Sequence, residues 1–206
     1  MSRPWIPVVI SLAVLSCGPA LSTARAELIH AVAATGTGTF TNSASVIIDG
    51  FVPPDGTAWN GPTNVYWSGT VPQFTIDFGA VYTVADLDVS VDNNDTYVIE
   101  YSNNGTSFSN LTTIEWSYGN VPPQPGGMDR MTTFSTVPDY VPQIVFSPVQ
   151  ARYLRIFATV GDNFYSVGEV APYGSRVIPE PDSIVLLSVA AVNLVAYVWQ
   201  QRRKKR

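Results

Sequence analysis

Between residues 31 and 175 apolar side chains recur at every second position, in runs too short for anything but strands. Phe74, Ile76 and Phe78 alternate with Thr75 and Asp77, and Gly79 closes the run. Leu87, Val89 and Val91 alternate with Asp88, Ser90 and Asp92, and Tyr97, Ile99 and Tyr101 with Val98, Glu100 and Ser102. Asn103-Asn104-Gly105 then supplies residues that tolerate positive φ, as a tight turn requires. Residues 145–146 and 153–158 give further short strands, split by Ser147-Pro148. Outside the termini no window longer than about ten residues has helical periodicity. Short strands with frequent Gly and Pro predict an all-β fold, a β-sandwich.

Charge narrows the partners. Residues 27–175 hold fourteen Asp and Glu against three arginines, Arg130, Arg152 and Arg155, and no lysine. So acidic a surface repels phosphate backbones, which argues against nucleic acid and for cations or neutral ligands. The single cysteine, Cys17, lies in the N-terminal apolar run, and the single histidine is His30. Once that run is removed, no thiol is left for a disulfide, for thiol catalysis or for thiolate-bound zinc.

The two ends read as addresses. Residues 1–26 have the form of a secretory signal peptide: Arg3, a short apolar run over 5–15, and Ala24-Arg25-Ala26 as a signal-peptidase site before Glu27. A second reading takes Leu15-Ser16-Cys17-Gly18 as a lipoprotein box with Cys17 acylated. At the other end an apolar run over 184–199 precedes five basic residues, 202–206. At roughly 1.5 Å per residue this run reaches about 24 Å, short of a hydrocarbon core of about 30 Å. Asn193 weakens it further, while the basic end orients it with the tail in the cytoplasm. Such a helix suits a transient membrane hold.

Pro179-Glu180-Pro181, then Ser183, the short hydrophobic helix and the basic end together resemble the PEP-CTERM sorting signal. The resemblance covers about the last 30 residues, 176–206. It implies recognition of the Pro-Glu-Pro segment by an exosortase-type transpeptidase, cleavage nearby, and delivery to a cell surface or an extracellular polysaccharide matrix. The other reading is an ordinary single-pass anchor on a proline-rich stalk.

The intervening residues, 27–175, carry a second resemblance. In order come Ile48-Asp49-Gly50, Asp55-Gly56-Thr57-Ala58-Trp59, Tyr66-Trp67-Ser68, Phe74-Thr75-Ile76-Asp77-Phe78-Gly79, Ala151-Arg152-Tyr153-Leu154-Arg155-Ile156 and Tyr165-Ser166-Val167-Gly168-Glu169-Val170. This order resembles the discoidin, or coagulation-factor type C, family and implies its galactose-binding-like jelly roll, a fold that hosts binders of sugars, lipids and proteins. The sequence departs from the family's compact Asp-Gly-x-Thr-x-Trp loop by inserting Phe51-Val52-Pro53-Pro54, so either Asp49 or Asp55 matches its carboxylate. The resemblance implies a structural calcium held by Asp49 or Asp55 with Thr57 and Glu169. Hard oxygen donors from distant segments suit calcium. Alternatively these residues bond local backbone in turns and at edges.

Asp92-Asn93-Asn94-Asp95-Thr96 is the densest polar cluster. It reads as a strand junction, or as a rim loop that, with Asp162 and Asn163, bonds sugar hydroxyls or a second cation. Trp59, Tyr66, Trp67, Trp116, Tyr118 and Tyr165 are candidates to stack on sugar rings, the first and third also suiting a core. Trp116-Ser117-Tyr118-Gly119, opening a long Pro/Gly-rich loop, is the favoured platform. Catalysis is not expected, because His30 near a terminus gives neither a nucleophile's base nor a histidine metal centre, and any acidic domain offers pairs of carboxylates. The expected function is carbohydrate binding in an extracellular matrix, and the alternative a structural matrix or biofilm protein whose sandwich makes protein contacts.

Overall fold

The computed structural model describes residues 26–122, 126–178 and 183–203. The expected signal peptide up to residue 25, Cys17 within it, and Pro179, Glu180 and Pro181 lie outside them.

Among the described residues nine strands follow in order: β1 Glu27–Leu28, β2 Ala33–Thr37, β3 Val65–Ser68, β4 Gln73–Asp92, β5 Thr96–Ser102, β6 Ser109–Ile114, β7 Met128–Thr132, β8 Val149–Val160 and β9 Phe164–Arg176. All pairings between them are antiparallel. One layer runs β2-β4-β8-β5-β6, and the other β7-β4-β9-β3 with β1 on the far part of β9. This is an all-β jelly roll.

Strand β4 belongs to both layers. Residues 73–77 pair with β2 and β8, and residues 86–91 pair with β7 and β9. The sequence reading ended this strand at Gly79. Instead the chain bends there: Gly79 adopts φ +73, its N–H donates to Asp77 Oδ1 at 2.7 Å, and the register with β8 shifts between Asp77 and Tyr82. A residue without Cβ turns the corner, and the strand returns along the opposite layer. Both ends of β4 therefore sit at one end of the sandwich, with the junctions β4–β5, β6–β7 and β8–β9.

The alternating residues fill the space between the layers. Phe74, Ile76, Leu87, Val89, Val91, Ile99, Leu154, Ile156 and Val167 are all at most 1% exposed. Toward the loop end the core turns aromatic, with Trp67 5.0 Å from Phe74 and 5.9 Å from Tyr165 between ring centroids. Residues 145–146, read as a strand, are irregular, and Val145 is 73% exposed. Pro148 offers no N–H to a ladder, and pairing begins at Val149.

The polar face of β4 is not solvated, against the simplest reading of its alternation. Asp88, Ser90 and Asp92 are at most 3% exposed. The inserted segment after Asp49 covers this side. Pro53 is buried, Gly168 has no room for a Cβ beside it, and Gly56 and Thr57 exchange backbone hydrogen bonds with Met128.

A helix, α1, spans Ser183–Arg203 and exposes Leu187, Val192, Leu194, Val195 and Trp199. Among the described residues no helix is long and apolar enough to cross a membrane.

Candidate functional site

Three junctions meet at the loop end, and buried carboxylates tie them together. Asp95 Oδ1 accepts the Asp162 N–H at 3.2 Å, and its Oδ2 accepts the Tyr97 hydroxyl at 3.3 Å. Gly161 passes so close that a Cβ there would collide with the same carboxylate. Asn94 Nδ2 donates to Asp162 Oδ2 at 3.2 Å, joining the β4–β5 turn to the β8–β9 turn from outside. Asp92 Oδ1 accepts the Gly127 N–H at 3.3 Å, and Asn93 bonds Gly127 O and Val121 O with its backbone and side-chain N–H groups. Asp129, wholly buried, accepts the N–H groups of Asn120 and Val121, each at 2.9 Å, and fixes the loop that opens at Trp116. Tyr97 carries the tie into the core by accepting the Ser166 N–H at 3.0 Å.

Burial raises these groups above the ordinary carboxylate range. It pushes Asp95 up to about 8, with the Asp92 charge adding to it, and pushes Asp92 and Asp129 each up to about 6 against the N–H groups they accept. The Tyr97 phenol is held well above its ordinary value by burial and by Asp95.

Around this frame the ring surfaces open to solvent. Trp116 is 52% exposed, at the mouth of its loop, and its backbone N–H donates to Thr96 Oγ1 at 3.3 Å. Phe164 is 47% exposed and lies 5.4 Å from Trp59, which meets Tyr66 edge-on at 5.5 Å. Asp162 and Asn163 are exposed beside Phe164. Tyr118 is half-buried, and Tyr165, 3% exposed, packs against Trp67 and Tyr97. Of the residues read from sequence, the structure thus brings Asp92, Asn93, Asn94, Asp162, Tyr165, Trp116 and Tyr118 to one end, the first two as buried braces, Asn94 half-buried, and Asp162 and Trp116 toward solvent. Phe164 was missed, because a phenylalanine at a strand start carries no signal that separates rim from core.

The oxygen donors suggested for calcium fall into two groups. Glu169 is 4% exposed, accepts the Gly50 N–H at 3.1 Å, and shares a small pocket with Asp49 and His30. Burial pushes Glu169 up to about 8, with Asp49 and Asp88 contributing. Asp55 instead accepts the Arg130 N–H at 3.0 Å, and the Thr57 hydroxyl donates to Pro54 O at 2.5 Å. Glu169 and Asp49 thus line one pocket, whereas Asp55 and Thr57 bond other partners. Among the described residues no group of three or more His, Cys, Asp or Glu is disposed to hold a metal.

An antiparallel jelly roll that gathers braced polar turns and open aromatic rings at one end is a discoidin-type scaffold. The chain belongs to the F5/8 type C domain family, which matches residues 31–170. Comparison with curated proteins gives no match. Similar solved structures include the CBM32 of AlyQ in complex with 4,5-unsaturated mannuronic acid, at 19% identity and TM-score 0.46 over 71% of this chain and 97% of that one. A fucolectin from striped bass (Morone saxatilis) serum is 15% identical, with TM-score 0.49 over 72% of this chain and 48% of that one. CpGH89 from Clostridium perfringens, in complex with GlcNAc-alpha-1,4-galactose, is 19% identical with TM-score 0.47; there 74% of this chain matches only 15% of the other.

Proposed function

We propose that this protein is an exported carbohydrate-binding protein that holds a saccharide at the loop end of its jelly roll. The observation that carries the reading is exposed aromatic surface beside polar side chains on braced turns: Trp116 on one loop, Phe164 with Trp59 on another, and the exposed Asp162 bonded by the half-buried Asn94. Aromatic faces take the apolar faces of sugar rings, and carboxamides and carboxylates take hydroxyls. Asp49 and Glu169 would hold a calcium ion that neutralises two crowded carboxylates and fixes the loop beginning at Asp49.

The same proposal covers the address. Signal peptidase removes residues 1–26, α1 holds the precursor at the membrane, and an exosortase-type transpeptidase acts at Pro179-Glu180-Pro181. The destination is the cell surface or an extracellular polysaccharide matrix. The supporting residues are the Pro-Glu-Pro motif, the apolar run after it, and the basic residues that end the sequence.

A glycan-array screen of the purified protein, with calcium and again with chelator, tests the binding reading. Saturable binding to a set of related glycans, reduced at least tenfold by Trp116→Ala, is expected. A folded protein that binds no glycan would instead be a structural matrix component.

A further inference from the structure

Beside the loop end, along the outer edge of β7, lies a cleft of about 240 Å³. Tyr118 and Asn120 line it from the loop after Trp116, Arg130 from β7, and Asp139, Tyr140 and Gln143 from the segment that follows. Arg130 is held in place from behind. Its Nε lies 3.0 Å from Asp88 Oδ1 and its Nη2 2.5 Å from Asp88 Oδ2, and the Asp88 side chain is 4% exposed. The guanidinium is therefore fixed by a buried, two-point ion pair before any ligand arrives. Its remaining nitrogen, Nη1, meets Asp139 Oδ2 at 3.4 Å, a looser approach than the one to Asp88.

A fixed N–H donor beside a carboxylate acceptor matches two neighbouring hydroxyls of a sugar ring: one accepts from Arg130 while the other donates to Asp139. Tyr118 and Tyr140 offer ring surface and hydroxyls, and Asn120 and Gln143 offer carboxamides. The charge around the cleft selects further. One guanidinium faces Asp88 and Asp139, with Asp55 accepting its backbone N–H and Asp129 close enough to feel both Asp55 and Asp139. An anionic sugar entering there would meet surplus negative charge, which a neutral one does not.

Resting on the carbohydrate reading, we infer that this cleft is a second saccharide subsite, specific for a neutral hexose unit bound through a vicinal diol by Arg130 and Asp139. The experiment titrates the full chain, in a detergent without a sugar headgroup, with methyl gluco-, galacto- and mannopyranosides and the corresponding uronosides, read by calorimetry. At least one neutral glycoside is expected to bind tenfold or more tighter than its uronoside. Asp139→Asn is expected to weaken the neutral sugar at least fivefold and to narrow that gap, since it removes the repelling charge while keeping the side chain's shape. Tyr140→Ala is expected to weaken it comparably. Saccharide binding that Trp116→Ala abolishes but Asp139→Asn and Tyr140→Ala leave unchanged would overturn the cleft and leave the loop-end site standing. Tighter binding of the uronoside would overturn the neutral specificity. Absence of binding to any of these sugars would overturn the cleft, and with an empty glycan array it would remove the carbohydrate reading as well.

Discussion

Burying a carboxylate away from cations makes it hold its proton to higher pH, and Asp92, Asp95, Asp129 and Glu169 share that condition: none of them pairs with an arginine among the described residues. Their folded values, about 6 to 8, lie above those of an unfolded chain, about 4. A raised carboxyl contributes stability that is complete below the unfolded value and is lost as pH rises through the folded one. Thermal melts in chelator are therefore expected to show a protein more stable at pH 5 than at pH 8. Asp95→Asn should flatten that slope, because Asp95 is raised the furthest of the three loop-end acids. A melting temperature that climbs from pH 5 to pH 8 would contradict this assignment. Asp77 behaves oppositely: the Arg152 guanidinium holds it below its ordinary value, so its contribution is lost only in acid.

At the scale of elements, Arg130, Arg152 and Arg155 each cross-link strands. Arg130 joins β7 to β4, Arg152 joins β8 to β4, and Arg155 joins β8 to β5 while lying 4.0 Å over the Phe108 ring. They are not equivalent. Arg130→Ala leaves the buried Asp88 carboxylate without its partner and is expected to cost roughly 3 kcal/mol in denaturant unfolding, whereas Arg152→Ala, in a pair with side chains 39% and 25% exposed, should have a much smaller effect. Equal effects would mean that the cover over β4 is open to water. That cover was also the least legible element. The period of two exposed the strands, and Asn103-Asn104-Gly105 its turn, with Gly105 at φ +71. Alternation alone, however, says that Asp88, Ser90 and Asp92 face away from the core, and is silent on whether a loop lies over them. Gly79 misled for a related reason: positive φ serves equally to end a strand and to bend one.

At the scale of the whole molecule, the bend in β4 brings both ends of the longest strand to the same end as the junctions that carry Trp116, Asn94, Asp162 and Phe164. The polar half of this site was legible, because Asp and Asn at strand junctions are visible in sequence. Its apolar half was legible only as a list of aromatics: Tyr165 and Trp67 went to the core and Phe164 to the rim through long-range packing that no local pattern encodes. At the opposite end residues 82–84 meet residues 174–176 on β9. A chemical-shift titration of the isotope-labelled protein with the best glycan from the array tests the central claim most directly. The expected result is saturable shifts of the Trp116 indole and of the amides of Asn94, Asp162 and Phe164, with residues 82–84 and 174–176 unmoved. Shifts confined to those distant residues, or none with any glycan, would contradict a saccharide site at the loop end.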